Sequence, residues 1–567
     1  MNKSRFTFKQ SHIVTIVSFF VGLYGIYIIA TTLLDQFFVH RMHFLTSAII
    51  DVHLLFGLGF VYLSLLLARR KRNAMILGVL AFAFLLGEGT NEVINNLHAG
   101  RFTLSILLRY VILPVLILGL LILTRREYRV KSDIEAFKSS LSLALIVIII
   151  TLAYGVGGFM LMDNSDFRTE LGFSSSLHYT IDQFDLTTNH PLHPYTKKAR
   201  LFMDSLSFVS VASATFLLVS LVQPVRARLV DQTEQRQKLK TLLDKYKAPS
   251  EDFFKLWPHD KHYFFSRNED AAIAYRTKSG VAMILADPVG NEAAFKQLLK
   301  DFSELCYAND WQPALIHVDG KYRKLYESNG FTLQLIGQEA FVDVSKFCEQ
   351  TASNKYFRNI RNRFDKENFS FELLSPPHHQ AVIDRLKDIS NDWLSKPGRT
   401  ERGFVMGYYN EEYAQQCDLA IVRDAAQTIQ AFINLIPSNS FNDHEVTYDM
   451  LRAAAVAPPN TNDYLLYSLL HKLKERGVKT LSLGLSPLVG LDESDEESNL
   501  ISSVLRFAYV NGDRFYSFSG LKRFKAKYDP IWEDRYLGYK GGIAGFSKML
   551  NSLMLAMRLP KKVKLKR

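Results

Sequence analysis

Residues 271–308 read AAIAYRTKSGVAMILADPVGNEAAFKQLLKDFSELCYA. Two short β-prone runs, Ala271–Tyr275 and Val281–Ala286, flank Lys278-Ser279-Gly280, a spacing that predicts paired antiparallel strands around a tight turn. Asp287-Pro288-Val289-Gly290 then interrupts the chain with turn-forming residues. From Glu292 to Ala308 the apolar residues recur every three or four positions, the period of a helix with one buried face. Strands followed by an amphipathic helix predict a layered α/β unit.

Toward the C-terminus the alternation continues. Leu315–Val318 reads as a strand, Tyr322–Ser328 as a short helix stopped by Asn329-Gly330, and Phe331–Leu335 as a strand again. The pattern then partly repeats. Phe369–Leu374, Leu419–Arg423, Ile429–Ile436 and Thr480–Gly484 are strand-like, and Tyr464–Arg476 is a helix closed by Gly477. Two α/β units in tandem, 261–350 and 351–542, suit the usual size of domains better than one large sheet.

Toward the N-terminus the composition changes. Six runs are apolar over roughly the 20 residues a membrane-crossing helix needs: His12–Leu34, Phe44–Ala68, Ala74–Val93, Phe102–Thr124, Ser140–Met162 and Leu206–Val225. The first is too long for a cleavable signal peptide. Lys3, Arg5 and Lys9 precede the first run, Arg69-Arg70-Lys71-Arg72 follow the second, and Arg125, Arg126, Arg129 and Lys131 follow the fourth. By the positive-inside rule both termini, and everything after Val225, face the cytoplasm. Asp51, Glu88, Glu92 and Arg109 lie within or beside the spans, where charge is costly enough to suggest a polar pocket for a lipid headgroup. The expected architecture is a polytopic α-helical membrane domain, 1–225, followed by a cytoplasmic α/β domain. A basic juxtamembrane linker over 226–260 joins them, and 543–567 forms an amphipathic helix with a polybasic tail.

The whole chain carries 68 Lys+Arg against 56 Asp+Glu, a net charge of +12 over 567 residues. With the apolar runs confined to one end, this excludes a small secreted scaffold, a disordered tail protein and a wholly soluble enzyme. Cys306, Cys348 and Cys417 have no metal-site spacing and read as buried, reduced thiols.

Leu325-Tyr326-Glu327-Ser328-Asn329-Gly330-Phe331 resembles the helix-to-strand junction of GNAT acyltransferases. The acetyl-CoA loop expected of such enzymes is absent: Gln334-Leu335-Ile336-Gly337-Gln338-Glu339 fails at its last position. A wider set of motifs occurs in order: Asp287-Pro288-Val289-Gly290, Gly337-Gln338-Glu339-Ala340, Asn434-Leu435-Ile436-Pro437, Tyr448-Asp449-Met450-Leu451-Arg452 and Gly484-Leu485-Ser486-Pro487-Leu488. The segments 515–525 and 529–537 close the series. Over about 255–542 the chain resembles the synthase domain of the aminoacyl-phosphatidylglycerol synthases, the lysylphosphatidylglycerol synthetase or multiple peptide resistance factor family. Departures are Gln338, where the family usually has Glu, and Ile436, where an aromatic is common.

The resemblance implies tandem GNAT-like acyltransferase folds. It also implies transfer of an amino acid, Lys or Ala, from aminoacyl-tRNA to the glycerol hydroxyl of phosphatidylglycerol. The product would lower the negative charge of the leaflet and weaken the binding of cationic antimicrobial peptides. Larger family members carry further N-terminal spans that form a flippase; the six spans expected here are fewer than that unit uses. Two alternatives remain open: a tRNA-dependent transferase acting on a peptidoglycan precursor, and a non-catalytic membrane protein that binds or translocates lipid. The partners expected are aminoacyl-tRNA, phosphatidylglycerol and membrane lipids, and a homo-oligomer is compatible with all of this.

Exchanging one ester for another requires neither ATP nor a metal, and no cofactor is expected. His378-His379 lacks further ligands at metal spacing. The chemistry needs two bulky substrates held in attack geometry. Asp449 and Arg452 are three apart, a spacing that on a helix puts both on one face. The resemblance gives Asp449 the aminoacyl ammonium or a proton transfer, and Arg452 the orientation of that group or of a phosphate. Arg514, Lys522, Arg523, Lys525 and Lys527 interleave with Phe515, Tyr516, Phe518, Phe524 and Tyr528. This mixture suits phosphodiesters and stacked rings, with Lys522 placed among the catalytic residues and the other four in substrate binding. A partly buried strand with snorkelling bases is the structural alternative. Glu533 and Arg535 are expected to support this wall. Arg358, Arg361 and Arg363, with Lys355, Lys366, Phe357 and Phe364, offer a landing surface for tRNA phosphates, or a basic helix lying on the membrane.

Overall fold

A computed structural model describes residues 2–39, 52–100, 103–130, 149–162, most of 164–206, and 232–559 except 397–398, 438–443 and 488–517. The chain divides into two compact units, Met1–Val225 with Tyr307–Asp310, and the remainder.

In the first unit, Asn2–Val39, Val52–Ala68, Arg72–His98 and Leu113–Leu123 are helices. The first two pack backbone to backbone: a Cβ on Gly25 would stand 2.6 Å from the Gly57 carbonyl oxygen. The two glycines, with no side chain between them, permit this close approach. Among the described residues two helices are long and apolar enough to cross a membrane, Ile13–Thr31 and Arg72–His98. Gly57–Ala68, Tyr110–Leu123 and Ile149–Met160 are apolar but shorter. The sixth expected span, Leu206–Val225, falls almost wholly outside the described residues. Of the four charges expected within or beside the spans, Glu88 is exposed; Asp51 and the side chains of Glu92 and Arg109 lie outside the described residues.

The second unit is built on one sheet. Its strands are β1 (His262–Phe265), β2 (Ala271–Lys278), β3 (Val281–Leu285), β4 (Val289–Gly290), β5 (Gln312–Asp319), β6 (Thr332–Asp343), β7 (Ser370–Leu374), β8 (Asp418–Arg423), β9 (Ile429–Leu435), β10 (Glu445–Ala453), β11 (Thr480–Pro487) and β12 (Ile531–Tyr539). Helices of this unit are α1 (Thr233–Lys245), α2 (Glu292–Ala308), α3 (Arg323–Ser328), α4 (Val344–Glu349), α5 (Lys355–Lys366), α6 (Gln380–Ser395), α7 (Glu411–Ala414), α8 (Thr461–Glu475), α9 (Phe518–Ala526) and α10 (Gly542–Met557).

The order across the sheet is β1-β2-β3-β5-β12-β6-β11-β10-β9-β8-β7, with β4 beside β2. Among the described residues only β3–β5 and β10–β11 are parallel strand pairs, and each pair is joined through a long helix, α2 or α8. The chain thus runs an antiparallel meander into a parallel crossover twice, which is the internal repeat expected. The two halves nevertheless share one hydrogen-bonded sheet instead of forming separate ones. Strand β12, from beyond residue 350, lies between β5 and β6 and crosses the expected boundary.

The linker and the C-terminal helix also differ from expectation. α1 buries Leu239, Leu242 and Leu243 in the same core as Tyr263, Phe432 and Met450, so the linker from Thr233 onward belongs to the folded unit. α10 turns its apolar side, Phe546 and Met549, onto Val281, Met283 and Leu537 of the sheet instead of leaving it free for lipid. Its polybasic tail lies outside the described residues.

The central strands alternate in a way that positions the site. Ala340, Val342, Val446, Leu481 and Leu483 enter one core, together with α4, α5 and α8. The intervening residues Glu339, Thr447 and Ser482 point the other way. Register places Glu533 opposite Glu339, Arg535 opposite both Gly337 and Asp319, and Glu445 opposite Thr480. Five adjoining strands therefore present one polar face.

Candidate functional site

The 3-10 turn Ser250–Lys255 covers that polar face. It is pinned by the Glu445 carboxylate, whose Oε1 accepts from the Ser250 N–H at 3.0 Å and from its hydroxyl at 2.9 Å. The gap holds a cavity of about 430 Å³ lined by Glu251, Asp252, Asp287, Asp319, Glu445 and Glu533, with Lys321 and Arg535 as its cations. Six carboxyl groups line it against two cations, and one of the six, Asp252, is already paired with the buried Lys255 of the same turn, in a chain whose net charge is +12. The imbalance attracts a cation.

At the back of the cavity, Glu339 is 2% exposed. Its Oε1 accepts from Ser482 Oγ at 2.7 Å and its Oε2 from Arg535 Nε at 2.9 Å. Burial alone would raise this carboxyl, but His317 first, then the Arg535 guanidinium, the Ser482 hydroxyl and the Glu251 carboxyl, hold it below the usual range. Arg535 also reaches Glu533 at 3.3 Å. His317 lies between two carboxylates, Nδ1 3.7 Å from Glu251 Oε2 and Nε2 3.6 Å from Glu339 Oε2. Burial depresses His317, keeping the imidazole neutral, while burial and the neighbouring Glu339 push Glu251 well up. Asp287, sealed beneath the Tyr326 hydroxyl, is raised by burial to about 6.

Further along β10, on the same face, stands Asp449. Its Oδ1 accepts from the Gly407 N–H at 3.0 Å, while the buried Oδ2 makes no close hydrogen bond. Burial raises this carboxyl to about 7, against the Gly407 N–H and Arg452. Arg452 is 4% exposed and grips Glu401 with two bonds, 2.9 and 3.1 Å, while its guanidinium lies 4.5 Å from the Trp393 ring centre. Asp449 and Arg452 are on a strand, not a helix as their spacing suggested. Three residues apart in a regular strand they would face opposite ways. An irregularity in the β9–β10 pairing, between Tyr448 and Leu451, returns both to one face.

The other expected site residues are dispersed. Lys522, Arg523, Lys525 and Lys527 lie on or just after α9, a helix and not a strand, and Arg514 is outside the described residues. Lys525 is 3% exposed and donates to the Gly484 and Leu485 carbonyls at 2.8 and 2.9 Å; burial lowers its ammonium to about 7. It braces the irregular pairing of β11 with β6 and sits within the field of Glu339. Lys527 bonds Tyr356 and Asp463 at 2.7 and 3.1 Å, tying α5 and α8 together on the opposite side of the sheet from Asp449. Lys522 is half-buried and Arg523 exposed. On α5, Phe357, Ile360 and Phe364 are buried while Arg358, Arg361 and Arg363 point outward; Arg363 is paired with Glu367 at 2.9 Å. His378 gives its Nε2 to the Cys417 carbonyl at 2.8 Å and belongs to the core. Sequence reasoning missed Glu251 and His317 altogether and read Glu339 only as part of a motif.

A family model described as phosphatidylglycerol lysyltransferase, C-terminal, matches residues 240–539, more than half of the chain. The chain belongs to this family. It is 31% identical over 298 residues to the phosphatidylglycerol lysyltransferase of Staphylococcus epidermidis, and 29% identical over 283 residues to that of Bacillus subtilis. These alignments take in 51% and 50% of this chain but 34% and 32% of the relatives, so the chain matches about a third of their length. Among solved structures it is similar to L-PGS from Bacillus licheniformis, 27% identical with a TM-score of 0.49, covering 56% of this chain and 95% of that one. It is also similar to the C-terminal domain of a putative lysylphosphatidylglycerol synthetase from Agrobacterium fabrum, 26% identical with the same TM-score, covering 58% and 98%.

Proposed function

We propose that this protein transfers a lysyl group from aminoacyl-tRNA to phosphatidylglycerol at the cytoplasmic face of a membrane that its N-terminal helices span several times. Family membership supports the reaction class. The observation that carries the choice of Lys over Ala is the acid-lined cavity, since a lysyl group brings a cation to it and an alanyl side chain does not.

The reaction exchanges esters. The glycerol oxygen attacks the aminoacyl carbonyl carbon, the bond to the ribose oxygen breaks, and the hydroxyl proton must move from one oxygen to the other. Asp449 is suited to that proton: it is held by the Gly407 N–H and only weakly by the Tyr413 hydroxyl, and its carboxyl is balanced near neutrality. Arg452, locked by Glu401 and Trp393, holds a fixed positive charge three residues away for the oxyanion or a phosphate. Full-length protein in phosphatidylglycerol vesicles, supplied with tRNA charged with labelled lysine, should yield labelled lipid. Label appearing only on a peptidoglycan precursor, or on no lipid at all, would overturn this reading.

Two further results are expected. A Cβ at Gly407 would collide with Asp449 Oδ2, so Gly407→Ala should displace the carboxylate and lower kcat roughly tenfold, with KM little changed. Steady-state kinetics on vesicles would show it. On α5, Arg358→Glu with Arg361→Glu should raise KM for charged tRNA by about tenfold at moderate salt and flatten its salt dependence by about two counterions. A rate at saturating tRNA equal to wild type would place these cations in binding alone.

A further inference from the structure

His317 is in an unusual conformation for its residue type, with φ at 63°. It lies where Ile316 and His317 of β5 together face the single Leu537 of β12, an irregularity that redirects a side chain from its regular strand direction. Such an outlier is costly and is found where the surroundings demand it. Here it brings the ring between Glu251 and Glu339. Both Glu251 and His317 are about four-fifths buried, and Glu251 Oε2 and His317 Nε2 are sealed from solvent with no hydrogen-bond partner. One ligand atom from each of Glu251, His317 and Glu339 falls within 4.8 Å of the others.

Buried polar atoms are rarely left unsatisfied. Two such atoms, Glu251 Oε2 and His317 Nε2, with the Glu339 carboxylate beside them at the back of an acid-lined cavity, define a place for a ligand rich in donors. A primary ammonium carries three N–H groups and one positive charge. A divalent ion fits less well, because both oxygens of Glu339 are already engaged, one of them by the Arg535 guanidinium.

We propose that Glu251, His317 and Glu339 form the receptor for the side-chain ammonium of the transferred lysyl group, and so set the amino-acid specificity of the enzyme. This rests on the transfer reading above and adds to it the residues that select the donor. Glu339 supplies the charge; Glu251, giving up its proton as the ammonium enters, accepts an N–H alongside it, and the neutral imidazole offers its lone pair to another.

The test uses one lysine tRNA charged either with lysine or with norleucine, which has the same chain but no ammonium. Full-length protein acts on phosphatidylglycerol vesicles with each donor. Wild type should prefer lysine by at least about 100-fold in kcat/KM, as a site built to bond a polar group rejects the analogue lacking it. Glu251→Gln should lower lysyl transfer about 50-fold and leave norleucyl transfer within about threefold. His317→Asn, whose replacement tolerates the left-handed backbone, should act in the same direction. Norleucyl transfer reports that the variants are folded. An unchanged lysine-to-norleucine ratio in both variants would overturn the receptor. So would lysyl transfer lost to EDTA and restored by Zn²⁺ or Mn²⁺, which would make the cluster a metal site. A wild type that makes no aminoacyl lipid from either donor removes the transfer reading itself, and the receptor with it.

Discussion

Asp449→Asn should lower kcat by about 10³-fold while making the protein harder to melt. The first effect follows from position: Asn is nearly isosteric and still accepts from the Gly407 N–H, but it cannot carry the proton of the glycerol hydroxyl. General acid–base groups typically contribute ~10²–10⁴-fold. The second follows from linkage. The carboxyl is raised from 3.8 to about 7 in the folded protein, so the native state holds its proton where the unfolded state has lost it. Its contribution to stability is complete below the unfolded value of 3.8, declines as pH rises, and is exhausted above about 7. The difference amounts to roughly 4 kcal/mol. An amide does not titrate, so the gain in melting temperature of the variant over wild type should grow between pH 4 and pH 8. For the same reason wild-type kcat/KM should climb through about pH 7 as the carboxylate forms. A variant that retains more than a tenth of wild-type turnover would remove Asp449 from the chemistry. A pH-independent difference in melting would show that the folded protein does not raise this carboxyl.

Much of this site could have been read from the sequence, and the residues show where the reading stopped. In β11, Thr480, Ser482, Gly484 and Ser486 alternate with Leu481, Leu483 and Leu485. That period of two predicts a strand with one polar face, yet its neighbours on both sides are other strands of the same sheet. A polar face in the middle of a sheet has to look onto a chamber, because buried polar groups must find partners. The signal for the cavity was therefore present in one segment. The identity of its lid was not: Ser250 meets Glu445 across 195 residues, and no local pattern announces such a contact. The pairing of Asp449 with Arg452 was expected on a helix because a separation of three residues suits one turn. A strand achieves the same juxtaposition only through an irregularity in pairing, which depends on β9 and is invisible in β10 alone.

The charged segment after Arg514 illustrates the opposite error. Cations interleaved with aromatic rings suggested a binding wall, but the rings of Phe524 and Tyr528 pack into the core beneath α5 and α8. Lys525 and Lys527 serve the fold, one holding strand carbonyls and the other joining two helices. Composition announced charge and rings; only the arrangement of α9 decided which way each side chain turned.

Arg535→Met should cost about 3–5 kcal/mol of stability and abolish transfer, the largest structural loss expected of any single substitution in the cavity. The guanidinium is 5% exposed and lies 2.9 Å from a carboxylate that is 2% exposed. Methionine fills similar volume, so the loss comes from electrostatics more than from a void. Removing one member of a buried ion pair leaves the other desolvated and uncompensated. Glu339 would then be expected to take up a proton, so the variant should be less impaired at pH 5 than at pH 8. For a unit of this size the melting temperature should fall by about 10 °C near neutrality. Glu339→Gln introduced alongside should recover most of it, because the buried charge has gone with its partner. Transfer should stay lost in the double variant, since neither the cavity's fixed cation nor the Glu339 carboxylate remains to organise Glu251 and His317. Recovery of stability without recovery of activity would separate the two duties of this pair. If the double variant instead melts as low as the single one, Arg535 acts through packing, and the polar face owes its shape to something other than this ion pair.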